Sequence, residues 1–360
     1  MPMSREKVAV GLSGGVDSAV SAYLLKREGY DVVGVHLVCW DEGPGCKASR
    51  DRQDALKVAM ALEIPFEVLD FQKEYKERVI DRFYDDYAKG LTPNPDVWCN
   101  SEIKFGMFLE WARSEGFDKI ATGHYAEVRK VEEEDQTRWG LFMPKDKWKD
   151  QTYFLYRLGQ EELSRAMFPL GSYEKKEVRK IASEVGLPVA DKKDSQGICF
   201  VGDVDISEFL HRRLQDNEGE VVDTSGRVVG KHRGVWFYTI GQRGGWQVSA
   251  NFQKKFGGEI PVFYVVDKDV KNNRLVVGFG AETYKESLMV SDLSWVGSKR
   301  VNEDGFRTRI RHGGCLIGAR GEWSGEKMRV ELDEPQRGVA AGQAAVFYEG
   351  DELLGGGVIG

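Results

Sequence analysis

An α/β architecture is predicted for this chain: an N-terminal domain on a parallel sheet, a small β-rich domain, and a C-terminal β-barrel. Three observations predict it. Lys7–Ser18, KVAVGLSGGVDS, reads as a short apolar strand entering a glycine-rich turn, with a helix after it. Strand-like and helical stretches then alternate, which implies βαβ units and a parallel sheet whose ligands bind at the carboxyl ends of the strands. Near residue 216 the pattern changes to short β runs between turns, the spacing of a small barrel or sandwich. The expected divisions are 1–215, 216–270 and 271–360.

Val8, Ala9 and Val10 make the first strand, bounded by Gly11. Ser18 is the expected N-cap of the helix AVSAYLLKREG, and Gly29 its end. YDVVGVHLVCW is a second buried strand, residues 47–62 a helix, 64–71 a third strand, and 72–89 a helix ending at Gly90. Pro93 and Pro95 make 92–96 a stiff loop. Trp98, Cys99 and Asn100 follow it, and a helix then runs through IKFGMFLEWARSEG. A short strand spans 118–122, and 129–140 is a polar hairpin or exposed loop. Residues 149–185 are mostly helical with a break at Pro169-Leu170-Gly171, and ISEFLHRRL is a short helix. Beyond it GEVVDTSGRVVG is two β runs about a turn and GVWFYTIGQRGG is β-rich. FYVVDKDVKNNRLVVG is a hairpin with Asn272-Asn273 at its tip.

A length of 360 residues suits two or three domains, and 41% hydrophobic with 30% charged residues is ordinary for a globular protein. No apolar run reaches the length of a signal peptide or membrane span, so a cytoplasmic enzyme is expected. Five widely spaced cysteines, Cys39, Cys46, Cys99, Cys199 and Cys315, argue for reduced thiols rather than a disulfide framework. No C-x-x-C pair supports zinc. A net charge of −7 does not suggest a nucleic-acid binder. Basic clusters nevertheless occur at Lys145/Lys147/Lys149, Lys192/Lys193, Arg212/Arg213, Lys231/His232/Arg233, Lys254/Lys255 and Arg307/Arg309/Arg311. An RNA-binding chain of this charge has to gather them on one face.

The Gly11–Ser18 turn carries the first chemistry. A tight glycine-rich turn into a helix N-terminus converges backbone N–H groups and the positive end of the dipole on an anion. No Gly-Lys-Ser/Thr closes it and it is not G-x-G-x-x-G. It resembles the S-G-G-x-D-S pyrophosphate loop of the ATP pyrophosphatases (the PP-loop, adenine nucleotide α-hydrolase-like superfamily), which split ATP to AMP and pyrophosphate while adenylating a substrate. Cys99, near a helix N-terminus, stands where a thiolate is stabilised, and Cys199 closes the polar stretch DSQGI. Either thiol alone reads equally as a buried core residue. Beside an adenylating loop the two suggest sulfur carried as a persulfide. His36, in an apolar strand, reads as a core histidine, while Cys39, Cys46 and Cys315 read as structural or inert. Trp98 fits packing or RNA stacking alike.

TPNPDVWCNSEIKF, ATGHYA, KDQTYFL, DSQGICFVG, YTIGQRGG and GQAAVFYEGDELLGGGVI, distributed over the whole chain, resemble the bacterial tRNA-specific 2-thiouridylase family. The resemblance implies ATP-dependent conversion of the wobble uridine of Lys, Glu and Gln tRNAs to 2-thiouridine. It implies that Gly11, Leu12, Ser13, Gly14, Gly15, Val16, Asp17 and Ser18, with Leu37 and Gly123, bind ATP, Asp17 also meeting magnesium. Asn94, Pro95 and Asp96 would hold the target base, and Cys99 would be the nucleophile. Cys199 would carry the persulfide. His124, Lys149, Asp150, Gln151, Arg309, Ile310 and Gln343 would touch tRNA. Adenylation makes AMP the leaving group on an otherwise poor electrophile, the persulfide sulfur attacks C2, and the base is extruded to be reached. Cys99 either forms a disulfide with Cys199 or assists proton transfer. The partners implied are the tRNA anticodon region and a sulfur-relay protein or cysteine desulfurase, with the enzyme a monomer and no membrane involved. The competing readings are a small-molecule adenylating synthetase, another PP-loop tRNA enzyme such as one making 4-thiouridine or lysidine, and a non-catalytic RNA-binding module. With few cysteines and no cluster motif, an iron–sulfur centre ranks below the persulfide.

Overall fold

A computed structural model describes residues 5–40, 48–132, 137–193, 205–250, 252, 262–303 and 305–360. The N-terminal layer is a parallel sheet. Its strands are β1 (Lys7–Gly11), β2 (Asp31–Val38), β3 (Phe66–Asp70), β4 (Lys119–Ala121) and, after a detour described below, β7 (Ala166–Met167), in the order β3-β2-β1-β4-β7. Val8, Ala9 and Val10 are fully buried, as a central strand covered on both faces requires. β1 pairs with β2 on one side and β4 on the other, so the strand order reverses at β1 and the crevice expected at such a switch point lies outside the carboxyl ends of β1 and β4.

Helix α1 (Val16–Glu28) ends at Gly29 as expected, with φ 94° there. α2 (Ala48–Ala61) follows β2. The predicted helix at 72–89 forms as α3 (Gln72–Tyr75), a π-helical stretch Lys76–Asp81, and α4 (Arg82–Ala88). A second run is built the same way from α5 (Pro95–Trp98), a π-helical stretch Cys99–Met107, and α6 (Phe108–Ser114). The stretch expected to be mostly helical is more broken. It holds a 3-10 turn Thr152–Leu155, α7 (Gln160–Arg165), β7 and α8 (Lys175–Glu184). Gly159 caps α7, and Pro169 and Gly171 stop its continuation.

The polar stretch near 129–140 is a hairpin, β5 (Glu127–Glu132) and β6 (Thr137–Phe142), and it leaves its own sheet. α9 (Ile206–His211) then leads to the central sheet of β8 (Gly219–Asp223), β9 (Val228–His232), β10 (Gln247–Val248), β11 (Tyr264–Asp269) and β12 (Arg274–Gly278). Both strands of the predicted hairpin at 264–278 belong to it, with Asn273 at φ 50° in the turn. GVWFYTIGQRGG is not β-rich as expected but a 3-10 turn, Val235–Phe237, and irregular chain. Gly241 and Gly245 at φ 86° and 97° turn the backbone out of any extended run.

The C-terminal barrel uses β13 (Tyr284–Trp295), β14 (Phe306–Arg309), β15 (Ile317–Ser324), β16 (Lys327–Arg337), β17 (Ala344–Glu349) and β18 (Glu352–Ile359). β13 pairs with both β16 and β18 and so closes it. β6 adds to β18 through Leu141↔Leu353, so the hairpin of the α/β domain is stitched to the barrel wall. Arg138 of β6 and Glu352 of β18 form an ion pair with 7% and 10% of their side chains exposed. One apolar core runs from Phe83, Phe105 and Phe108 through Val221 of the central sheet and Tyr238 after the 3-10 turn to Val346 and Leu353 of the barrel. No helix among the described residues is long and apolar enough to cross a membrane.

A buried charge left without its partner is costly, so Glu352→Ala is expected to lower stability by about 3 kcal/mol or more. The double variant Arg138→Met/Glu352→Leu should recover most of that loss, both read from urea denaturation midpoints.

Candidate active site

β1 delivers its chain to the crevice at Leu12, whose N–H donates to the Val35 carbonyl at 2.7 Å. The N-cap of α1 is Gly15, not Ser18. Ser18 lies inside the first turn, where its hydroxyl donates to the Gly15 carbonyl at 3.1 Å and accepts from the Ser13 N–H at 3.2 Å. A glycine cap leaves no side chain in front of the helix end, so its orphan N–H groups face the loop mouth. Gly14 sits at φ 76° with its missing Cβ position 2.4 Å from the Asp51 carbonyl oxygen, which nests the loop on α2. Gly123, after β4, would place a Cβ 2.7 Å from the Ser18 nitrogen. Both loops of the crevice thus meet backbone to backbone. Leu37, near the end of β2, is buried.

Two lysines close on this loop. Lys175, the first residue of α8, reaches both carboxylate oxygens of Asp17 at 2.8 Å, and the Tyr125 hydroxyl donates to the same carboxylate at 2.9 Å. Lys192 donates to the Gly14 carbonyl at 3.0 Å and to Asp51 and Asp54 at 2.8 and 2.7 Å. Burial works against the Lys192 charge, but the hydrogen bonds it donates to the two carboxylates outweigh it and raise its pKa. Sequence reasoning had Lys192 only as part of a surface cluster and missed Lys175. A lysine opening a helix opposes the dipole, and that mismatch was the available signal. Asp17, expected to meet magnesium, is a lysine's partner instead. Among the described residues no three metal-ligating side chains converge, so a magnesium at Asp17 would take most of its ligands from nucleotide phosphates and water.

Asn94 precedes α5, with Pro95 at its first position. Proline there starts a helix rather than preventing one. Cys99 therefore lies within the helical run, not in a loop before it, and its side chain is fully buried. Trp98 is packed, with the Arg82 guanidinium 4.1 Å over its ring. Asn94 and Asp96 are half-buried and Pro95 is buried. The barrel holds this segment. Gln343 donates to the Thr92 and Pro93 carbonyls at 2.8 and 3.3 Å, and the Thr92 N–H donates to the Ala341 carbonyl. The Thr92 hydroxyl, buried, has no hydrogen-bond partner among the described residues.

Other residues expected to meet RNA line the seam between the α/β domain and the barrel. The Asp150 and Arg309 side chains pair with each other at 2.7 Å, only 1% and 9% exposed. Asp150 also accepts from the Thr152 N–H and hydroxyl, and Ile310 is buried. Gln151 accepts from the Tyr125 N–H at 2.9 Å, and Lys149 is half-buried. His124 contacts the Thr122 hydroxyl at 2.7 Å, and complete burial holds its pKa well below the ordinary histidine value. His36 is the core histidine expected, its Nδ1 on the Leu12 carbonyl at 2.8 Å and its pKa lowered by burial. Cys39 and Cys99 are buried and Cys315 is exposed. Cys199 and Cys46 lie outside the described residues, and with them the disulfide and persulfide readings.

A glycine loop at the switch point of a parallel sheet, backed by a helix N-terminus, defines an α/β protein of the nucleotide-binding class. Residues 6–203 match the tRNA methyl transferase HUP domain, 207–279 its PRC-barrel domain and 285–359 the aminomethyltransferase β-barrel domain. A tRNA-specific 2-thiouridylase MnmA of Limosilactobacillus reuteri is 45% identical over 368 residues, covering 99% of this chain and 96% of its own. That of Listeria monocytogenes is 44% identical over 364 residues, covering 98% and 94%. The chain belongs to the tRNA-specific 2-thiouridylase family. A solved 4-thiouridine synthetase–RNA complex with bound ATP superposes at a TM-score of 0.37, 20% identical over 57% of this chain and 50% of its own.

His36, His124 and His232 all have pKa values lowered by burial. Each folded-state value lies below the unfolded value of about 6.5, so their stabilising contribution is present above that pH and is lost as pH falls. The thermal midpoint should drop on acidification below about pH 6.5, and less steeply in His124→Gln, as melting curves across a pH series would read.

Proposed function

We propose that this chain activates the wobble uridine of Lys, Glu and Gln tRNAs by adenylation at O2 and replaces that oxygen with sulfur, releasing AMP and pyrophosphate. Family membership supports thiolation of a tRNA uridine by an ATP-using sulfurtransferase. The finer reading rests on the pairing of an adenylating loop with a cysteine-bearing helical run in one chain. Two elements support it: the phosphate-receiving loop before α1, and the proline-started helical run that bears Cys99, its entrance loop gripped by Gln343.

In this reading Gly11–Ser18 with Leu37 and Gly123 hold ATP, and Asn94, Pro95 and Asp96 hold the extruded base. Magnesium would enter with the nucleotide's phosphates, and no step is assigned to it. The uridine O2 attacks the α-phosphorus and pyrophosphate departs, drawn by the α1 N–H groups. The terminal sulfur of a Cys199 persulfide attacks C2 and AMP leaves. The Cys99 thiolate then attacks the Cys199 sulfur, and the sulfur–sulfur electron pair stays on the base as the thiocarbonyl. A Cys99–Cys199 disulfide remains, which a thiol reductant opens by two electrons. A sulfur-relay protein or cysteine desulfurase reloads Cys199, and the enzyme works as a cytoplasmic monomer. Because Cys99 is buried, base entry has to uncover it. Lys149 and His124 flank the RNA, while Asp150, Gln151, Arg309, Ile310 and Gln343 shape the seam it rests on.

Nucleoside analysis of tRNA incubated with enzyme, ATP and a persulfide source tests this. Wild type should form 2-thiouridine with stoichiometric AMP, and Cys99→Ala and Cys199→Ala should each lower it by at least a hundredfold, on the order of a lost catalytic nucleophile. Unchanged thiolation in both variants would sink the mechanism.

A further inference from the structure

We propose that Trp148 is an RNA-stacking residue, its indole receiving an unpaired base of the substrate. This rests on the reading above that the substrate is tRNA. Trp148 is 97% exposed, while the next most exposed tryptophan, Trp323, is 42% exposed. An indole held wholly in water adds nothing to the core, so folding does not explain it.

The turn that presents it is fixed from both sides. The Trp148 N–H donates to Asp146 Oδ1 at 3.1 Å and the Lys149 N–H to the Asp146 carbonyl at 3.1 Å. Asp146 Oδ2 accepts from the Lys175 N–H at 2.9 Å, and the Lys145 N–H donates to the Gly171 carbonyl at 2.8 Å. Lys175 is the residue whose ammonium holds Asp17 of the phosphate loop. The turn therefore has a set position relative to the nucleotide. At its other end the same segment runs through Gln151 to Phe154, whose carbonyl accepts from Asn100, the neighbour of Cys99.

The surroundings select the partner. Lys145 and Lys147 are exposed, Lys149 is half-buried, and Trp148 stands among them. A rigid aromatic face interleaved with cations suits a nucleobase on a phosphate backbone. A protein partner calls for a contiguous apolar patch, and here the residues on either side of the indole are lysines.

The test compares Trp148→Ala and Trp148→Phe in the full-length enzyme, using the cognate tRNA and an anticodon stem-loop RNA. Melting curves should not move. Trp148→Ala should raise KM for tRNA roughly tenfold at unchanged kcat, whereas Trp148→Phe keeps most affinity. The salt dependence of binding should stay as in wild type, because no phosphate contact is removed. Fluorescence quenching by RNA should shrink in Trp148→Phe, and an abasic substitution at the stacked nucleotide should abolish the difference between wild type and Trp148→Ala. Equal RNA affinity in wild type and Trp148→Ala overturns the proposal, as does a defect confined to the protein sulfur donor. Failure of the wild type to thiolate tRNA sinks the functional reading instead, and the binding and quenching arms still decide the role of Trp148.

Discussion

Backbone contact between the two loops of the crevice is the constraint on which the rest depends. Gly123 fits against the first turn of α1 only because it has no Cβ, the nearest α1 atom being 2.7 Å from where one would stand. That closeness lets Tyr125, two residues on, put its hydroxyl on Asp17. The Tyr125 N–H then holds Gln151, and the adjacent Asp150 holds Arg309 of the barrel. A line of hydrogen bonds thus runs from the phosphate loop to the C-terminal domain. Any larger residue at 123 would separate the loops and displace every member of that line.

The barrel acts on the site from the other side as well. Gln343 and the Ala341 carbonyl grip the chain at Thr92 and Pro93, and Gly342 passes 2.9 Å from the Thr92 nitrogen at its Cβ position. The segment that presents Asn94 to Cys99 is therefore part of the interdomain seam. Its position is set by a domain far along the chain. This explains the sealed thiol: Tyr153 donates to the Ala344 carbonyl and Asn100 to the Phe154 carbonyl, which draws the 3-10 turn over the Cys99 helix.

Much of this was legible because it is local. Period and glycine placement gave the strand, loop and helix of residues 7–29, and the hairpin at Asn272-Asn273. Errors arose where one residue type serves two purposes. Serine suggested a cap at Ser18, yet glycine took the cap and the hydroxyl folded back inside. Proline suggested a loop through Pro95, yet its fixed φ starts a helix, which places Cys99 inside the helical run. The remainder was non-local. No periodicity tells β6 to pair with β18 some two hundred positions away, or Lys175 and Lys192 to reach back to the phosphate loop.

Charge follows the same logic. Sequence alone required the basic clusters to share a face if an acidic protein is to hold RNA. Each cluster within the described residues instead has an acidic partner: Lys145 with Glu177, Lys192 with Asp51, Arg213 with Asp81, Lys231 with Glu218, and Arg309 with Asp150. The exposed pairs exchange readily with solvent and phosphate, being worth roughly 0–1 kcal/mol. The buried Arg309–Asp150 pair does not, since separating it strands a charge in the core. Arg309 is thereby a fixed strut at the seam, and on the proposed reading the exposed lysines would supply the phosphate contacts. Counterion release is then a smaller share of RNA affinity than in a basic protein. On the proposed reading the larger share would come from shape, through an extruded base held by Asn94, Pro95 and Asp96.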